Sequence, residues 1–146
     1  MIESIRALLD SLAVSFDLPV LDWIAANLWC PALDVAMSII TILGDAGIFW
    51  IAVSVLFMIT KKYRKTGIGM MLALLMGLLV CNIWLKPTVA RMRPYDFQME
   101  YFLKEIPLLA GAMHDFSFPS GHTIASFEAA VALTLRHKKI GIAALA

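Results

Sequence analysis

Lys86-Pro87-Thr88-Val89-Ala90-Arg91-Met92-Arg93-Pro94-Tyr95 and, beyond an intervening loop, Phe118-Pro119-Ser120-Gly121-His122-Thr123 are where this chain concentrates its chemistry. Fixed cations, a hydroxyl, a glycine and a histidine gather in a sequence that otherwise carries little charge. Apolar runs flank them on both sides: Thr66 to Leu85 holds no charged residue, and Ser120 to Leu135 holds only Glu128. The layout predicts an anion-binding site held at the end of membrane helices.

The whole composition agrees. Of 146 residues, 61% are hydrophobic and 16% charged, with a mean hydropathy of +0.82. A soluble domain carries about 45–50% apolar and about 25% charged residues. One soluble core could not hide the excess, so the expected fold class is all-α, a multi-pass transmembrane helical bundle. The net charge is only +1 and the basic residues are clustered, which argues against a nucleic-acid partner. Cys30 and Cys81 sit in apolar settings without metal-like spacing and read as small buried hydrophobes. The first residues hold no basic leader and soon meet acids, so no cleaved signal peptide is expected.

Two parts are expected, 1–31 and 32–146. In the first, Ile2, Ile5, Leu8, Leu9 and Leu12 recur at helical spacing with Glu3, Arg6 and Asp10 between them. Trp23 and Trp29 suit the headgroup zone. This part reads as one or two amphipathic helices in the interface, with a broken first span as the rival reading. Val35 to Thr60 is the first convincing span, long enough to require tilt or a break near Gly44. Its one charge, Asp45, is either a satisfied polar residue at a kink or a functional one. Thr66 to Leu85 is the second span, in which Gly69, Ala73 and Gly77 form a small-residue stripe suited to close helix packing, with a cofactor groove along it as the less favoured reading. Residues 95–118 alternate aromatic and charged side chains, as an interfacial helix would. The third span starts at Ser120 and ends before Arg136-His137-Lys138-Lys139. Ile140 to Ala146 reads as the start of a fourth span, and the expectation is an incomplete polypeptide.

The basic clusters at 61–65 and 136–139 both read as cytoplasmic. Spans one and three then run inward and span two outward, which sets Lys86, Arg93 and His122 on the extracytoplasmic side. No chemistry enters that argument.

The residues themselves suggest phosphate. Ser120 is a good N-cap, and Gly121 leaves backbone N–H groups open at a helix start, where donors and the dipole favour an anion. Lys86 and Arg93 are seven residues apart, so a helical or near-helical segment would aim both the same way. Two cations, a helix N-terminus and a histidine supply the charge neutralisation, positioning and proton donor that phosphoryl transfer needs. Taken singly, each has a bland alternative: the cations could be interface anchors, and His122 a passive interfacial residue. Smaller expectations attach to Asn82, one turn before Lys86 and able to bond its ammonium; to Arg91, an anchor or headgroup contact; and to Glu128, packing glue between helices.

Lys86, six residues, Arg93-Pro94, then Pro119-Ser120-Gly121-His122 resembles the first two signature motifs of the type-2 phosphatidic acid phosphatase superfamily. Leu43-Gly44-Asp45-Ala46-Gly47 and Phe116-Ser117-Phe118 add to the likeness, which covers roughly residues 32–146. The resemblance implies that Lys86 and Arg93 hold phosphate oxygens, that Ser120 and the Gly121 backbone N–H complete the cradle, and that His122 is the general acid. It implies no metal or cofactor, a lipid phosphate or diphosphate as substrate, and a cell-membrane location among membrane lipids. Substrates of the undecaprenyl diphosphate, phosphatidate or phosphatidylglycerophosphate type fit. The family's third motif, Ser-Arg, five residues, His and then an Asp, carries the histidine nucleophile and does not occur in these 146 residues. Neither His114 nor His137 has the setting to replace it. The resemblance therefore implies a phosphatase as the complete protein and little turnover by this piece. The rival from another class is a non-catalytic protein that binds anionic lipid. A transporter is disfavoured because the ionisable cluster lies at one surface, and a soluble vanadate-dependent haloperoxidase by the apolar spans.

Overall fold

The computed structural model describes residues 2–44, 47–102 and 115–145, and all regular structure among them is helical. Asp45 and His114 lie outside the described residues. The chain divides into two compact units, Met1–Ile40 with Lys86–Phe118, and Thr41–Leu85 with Pro119–Ala146.

In the first unit, α1 (Ile2–Leu12), a π-helical turn (Ala13–Asp17) and α2 (Leu18–Asn27) form one helical run. Apolar residues recur along it with polar ones between, and Ala13 and Leu18 are buried. α3 (Pro31–Gly44) opens on a proline, whose fixed φ and missing N–H suit a first helical position. The returning chain supplies α6 (Lys86–Val89) and α7 (Pro94–Phe102). α7 buries Phe97, whose ring stacks on Tyr101 with centroids 4.5 Å apart.

The second unit is built on the hairpin of α4 (Ile48–Ile59) and α5 (Arg64–Gly77), with α5 running on through a π-helical stretch, Leu78–Leu85. α8 (Gly121–Thr134) packs on the hairpin and α9 (Lys138–Leu145) folds back on α8. Met70, Ala129 and Leu133 are its buried centre, ringed by Trp50, Val53, Phe57, Leu74, Ala132 and Ala144. Polar clasps bind the helices as well: Trp50 Nε1 donates to Ser126 Oγ at 3.1 Å, and Thr66 Oγ1 and His137 Nε2 share a hydrogen bond of 3.1 Å. His137 also meets the Tyr63 ring edge-on at 5.1 Å.

The expected break in the first apolar run lies near Gly44. α3 ends there, and α4 begins after Gly47, whose φ of +68° falls in the left-handed region that glycine enters without penalty. The small-residue stripe needs correction. Within the second span the close approach to a neighbouring backbone is at Gly67, where a Cβ would stand 2.5 Å from the Ser54 carbonyl oxygen and 2.6 Å from the Met58 nitrogen. Gly77 lies under the Glu128 carboxyl, whereas Gly69 faces open space. Gly69 and Ala73 instead floor a groove of about 480 Å³, walled by Phe127, Val131 and Ala132. Both cysteines are free, and Cys30 is exposed rather than buried.

Among the described residues, one helical stretch, within Arg64–Phe102, is long and apolar enough to cross a membrane, with a mean hydropathy of 2.3 in its most apolar window. Only 11% of that window is buried inside the chain, where the core helix of a soluble protein would be mostly covered. Large apolar side chains elsewhere also face outward, among them Ile42 at 71%, Ile59 at 72% and Leu135 at 81% exposure. Such surface suits a lipid neighbour better than water.

Candidate functional site

Lys86 opens α6, which ends after one turn because Ala90 takes φ +49°, a left-handed conformation that costs an alanine about 1–2 kcal/mol. Residues 90–93 are not helical, and α7 begins at Pro94. The near-helical link expected between Lys86 and Arg93 is therefore absent. What brings them together is a third residue. Asp115 pairs with Lys86 through Oδ2 and with Arg93 through Oδ1, and its backbone oxygen accepts from Arg93 Nε at 2.9 Å.

The hydrogen bonds from Lys86 and then Arg93 hold the Asp115 carboxyl at about 2, against an opposing push from burial. The carboxylate lies on the outside of this cluster. Its side chain is 52% exposed, against 12% for Lys86 and 22% for Arg93.

The backbone around Asp115 is tied down separately. Ser117 N donates to the Arg91 carbonyl at 2.9 Å, and Ser117 Oγ donates to the Met92 carbonyl at 2.7 Å. Arg91 is not a free anchor. It pairs with Asp17 and reaches the Leu9 carbonyl at 3.5 Å. Arg6 completes the brace, donating from Nε to the Val89 carbonyl at 2.7 Å and from Nη2 to that of Thr88 at 2.9 Å. These carbonyls end a helix and lack helical partners, so a guanidinium there is both cap and countercharge. The amphipathic N-terminal segment thus supports the segment that carries the cations.

In the second unit, Ser120 takes extended backbone angles and caps α8 as its sequence predicts. Its Oγ accepts from Thr123 N at 3.4 Å and from Thr123 Oγ1 at 3.2 Å. The Asn82 amide lies beside Gly121, with a Cβ built there 3.5 Å from Asn82 Oδ1. Asn82 Oδ1 does not take the bond expected from the Lys86 ammonium. Asn82 Oδ1 and His122 Nε2 are both buried and have no hydrogen-bond partner among the described residues. Ser120, Gly121, His122 and Asn82 thus lie together at the opening turn of α8, with one imidazole nitrogen and one amide oxygen buried and unpartnered among the described residues.

Sequence reasoning missed Asp115, Asp17 and Arg6. Asp115 had a faint signal, as the acid that leads directly into Phe116-Ser117-Phe118-Pro119. Among the described residues, no group of three or more His, Cys, Asp or Glu is placed to hold a metal ion.

No known family profile matches the chain. No solved structure matches it either. Over 91 residues, 62% of its length, the chain is 32% identical to an undecaprenyl-diphosphatase of Sulfolobus acidocaldarius. The match spans 41% of that protein's length.

Proposed function

We propose that this chain is the phosphate-binding part of an integral membrane lipid phosphatase of the type-2 phosphatidic acid phosphatase kind. It acts on a lipid phosphate or diphosphate at the extracytoplasmic face. The observation that carries this reading is that Lys86 and Arg93, without a helix to aim them together, close on one shared anion, the carboxylate of Asp115 more than twenty residues on. The similarity to an undecaprenyl-diphosphatase favours a lipid diphosphate as substrate. The multi-pass arrangement rests on the apolar runs and the two basic clusters.

In this reading Lys86 and Arg93 neutralise the phosphate oxygens, since charge-assisted and forked N–H donors suit them. The first turn of α8 contributes the Gly121 N–H and the Ser120 hydroxyl. His122 protonates the leaving oxygen through Nε2, acid catalysis worth about 10²–10⁴ in rate. A phosphohistidine intermediate requires a second histidine as nucleophile, and these residues do not supply it in a suitable setting. The 146-residue chain by itself therefore binds phosphate and turns over poorly. No metal enters the scheme.

The test has two arms. Inorganic phosphate or vanadate is titrated onto the detergent-solubilised chain, and Lys86→Ala and Arg93→Ala should each weaken binding by tenfold or more; unchanged binding overturns the site. Phosphate release from undecaprenyl diphosphate, phosphatidate and phosphatidylglycerophosphate is then measured for the full product of the gene. Binding without release would favour a non-catalytic protein that holds anionic lipid.

A further inference from the structure

Two basic side chains held on one acid invite the question of what the acid does when phosphate arrives. We infer that the Asp115 carboxylate is a resident stand-in for the substrate's phosphoryl group, aligning Lys86 and Arg93 in the empty site and leaving them when phosphate binds. The inference rests on the proposed phosphate site and adds to it a positioning residue that competes with the ligand.

Three features of the geometry support it. First, the carboxylate engages both cations at once, one oxygen each, as two oxygens of a phosphate would. Second, it is the exposed member of the trio at 52%, while the cations are at 12% and 22%, so it can leave without opening a core. Solvent-exposed ion pairs are weak, and a phosphate brings more charge and three acceptor oxygens to the same donors. Third, the backbone at this position is fixed by contacts that do not involve the carboxylate. Arg93 Nε holds the Asp115 carbonyl at 2.9 Å, and Ser117 holds the Arg91 and Met92 carbonyls at 2.9 and 2.7 Å. The side chain can swing away while its peptide still anchors Arg93. One carboxylate against two cations also leaves the cluster with a net positive charge that attracts an anion.

A merely structural ion pair predicts the opposite response to its removal. If Asp115 only held the cations in place, its loss would disorder them and weaken phosphate binding. If it competes, its loss strengthens binding.

The experiment titrates inorganic phosphate onto the solubilised chain and its Asp115→Asn variant, which keeps the backbone contact to Arg93. The variant should bind about fivefold more tightly, as expected from removing two weak competing pairs. Asp115→Glu, which keeps the charge, should bind within about twofold of the parent. A second readout needs no variant: in the parent chain carrying ¹³C-labelled aspartate, phosphate should move the Asp115 carboxyl resonance to that of a solvent-exposed aspartate. Equal or weaker binding by Asp115→Asn, or an Asp115 resonance that stays put at saturating phosphate, overturns the inference while leaving the phosphate site standing. Phosphate binding by none of the three chains overturns both.

Discussion

Arg6 and Val89 lie 83 positions apart, and the guanidinium of one caps the carbonyl of the other at 2.7 Å. The contact joins the first helix of the chain to the turn between the two candidate phosphate-binding cations. Arg6→Ala should lower stability by about 1–2 kcal/mol, as the loss of two partly exposed hydrogen bonds from a charged donor implies. Arg6→Lys should recover less than half, because an ammonium lacks the guanidinium's forked donors. Thermal unfolding of the solubilised chain measures both.

Ala90 holds a left-handed conformation that an L side chain resists. Ala90→Gly should gain about 0.5–1 kcal/mol, the relief of strain less the entropy of a freer unfolded chain. Ala90→Val should lose stability, since a β-branched residue fits that conformation worse still. Denaturant midpoints at constant slope would show both changes.

Gly67 and Gly69 share a helix but not an environment. Gly67→Ala pushes a methyl against the backbone of α4 and should cost about 1–3 kcal/mol by overpacking. Gly69→Ala meets no atom within 4 Å and should be neutral or gain up to about 1 kcal/mol of helix propensity. Equal melting shifts for the two would contradict the packing described here.

The Asp115 carboxyl titrates at about 2 in the folded chain against 3.8 for a free aspartate. A lowered folded value means that its stabilisation is present above pH 3.8 and fades as the pH falls through about 2. The side chain is half exposed, so the effect is small, at most about 1 kcal/mol after screening. Chemical unfolding followed from pH 6 down to pH 2 should show a decline that Asp115→Asn flattens.

If His122 is the general acid of the proposed reaction, it should matter most where the leaving group is poorest. An alkoxide leaving a phosphate monoester needs a proton, whereas the phosphate leaving a diphosphate needs one far less. His122→Ala in the full gene product should therefore reduce kcat on phosphatidate by a larger factor than on undecaprenyl diphosphate. Parallel losses on both would remove the general-acid role.

Local chemistry was legible in the sequence and spatial pairing was not. Ser120 announces itself as an N-cap because its hydroxyl and the Pro-Ser-Gly order allow little else, and the structure has it bonded to Thr123. The break near Gly44 follows from a glycine-rich interruption of an apolar run. The end of α6 at Ala90 carries no such warning, since alanine is the best of helix formers. Only the distant brace from Arg6 and the tether at Ser117 show what holds the chain there. Asp115 is one acid among several in a mixed loop, and its importance lies in which cations it meets. The stripe of Gly69, Ala73 and Gly77 has correct helical spacing, yet spacing says nothing about which glycine a neighbouring backbone approaches.

The bond between Thr66 and His137 spans 71 positions, and that between Trp50 and Ser126 spans 76. The α4–α5 hairpin beneath them is joined by a short turn. During synthesis the hairpin can therefore close as soon as it leaves the ribosome, while its two clasps wait for the arrival of α8. A nascent chain paused before residue 120 would hold the cations but not the helix that bears His122.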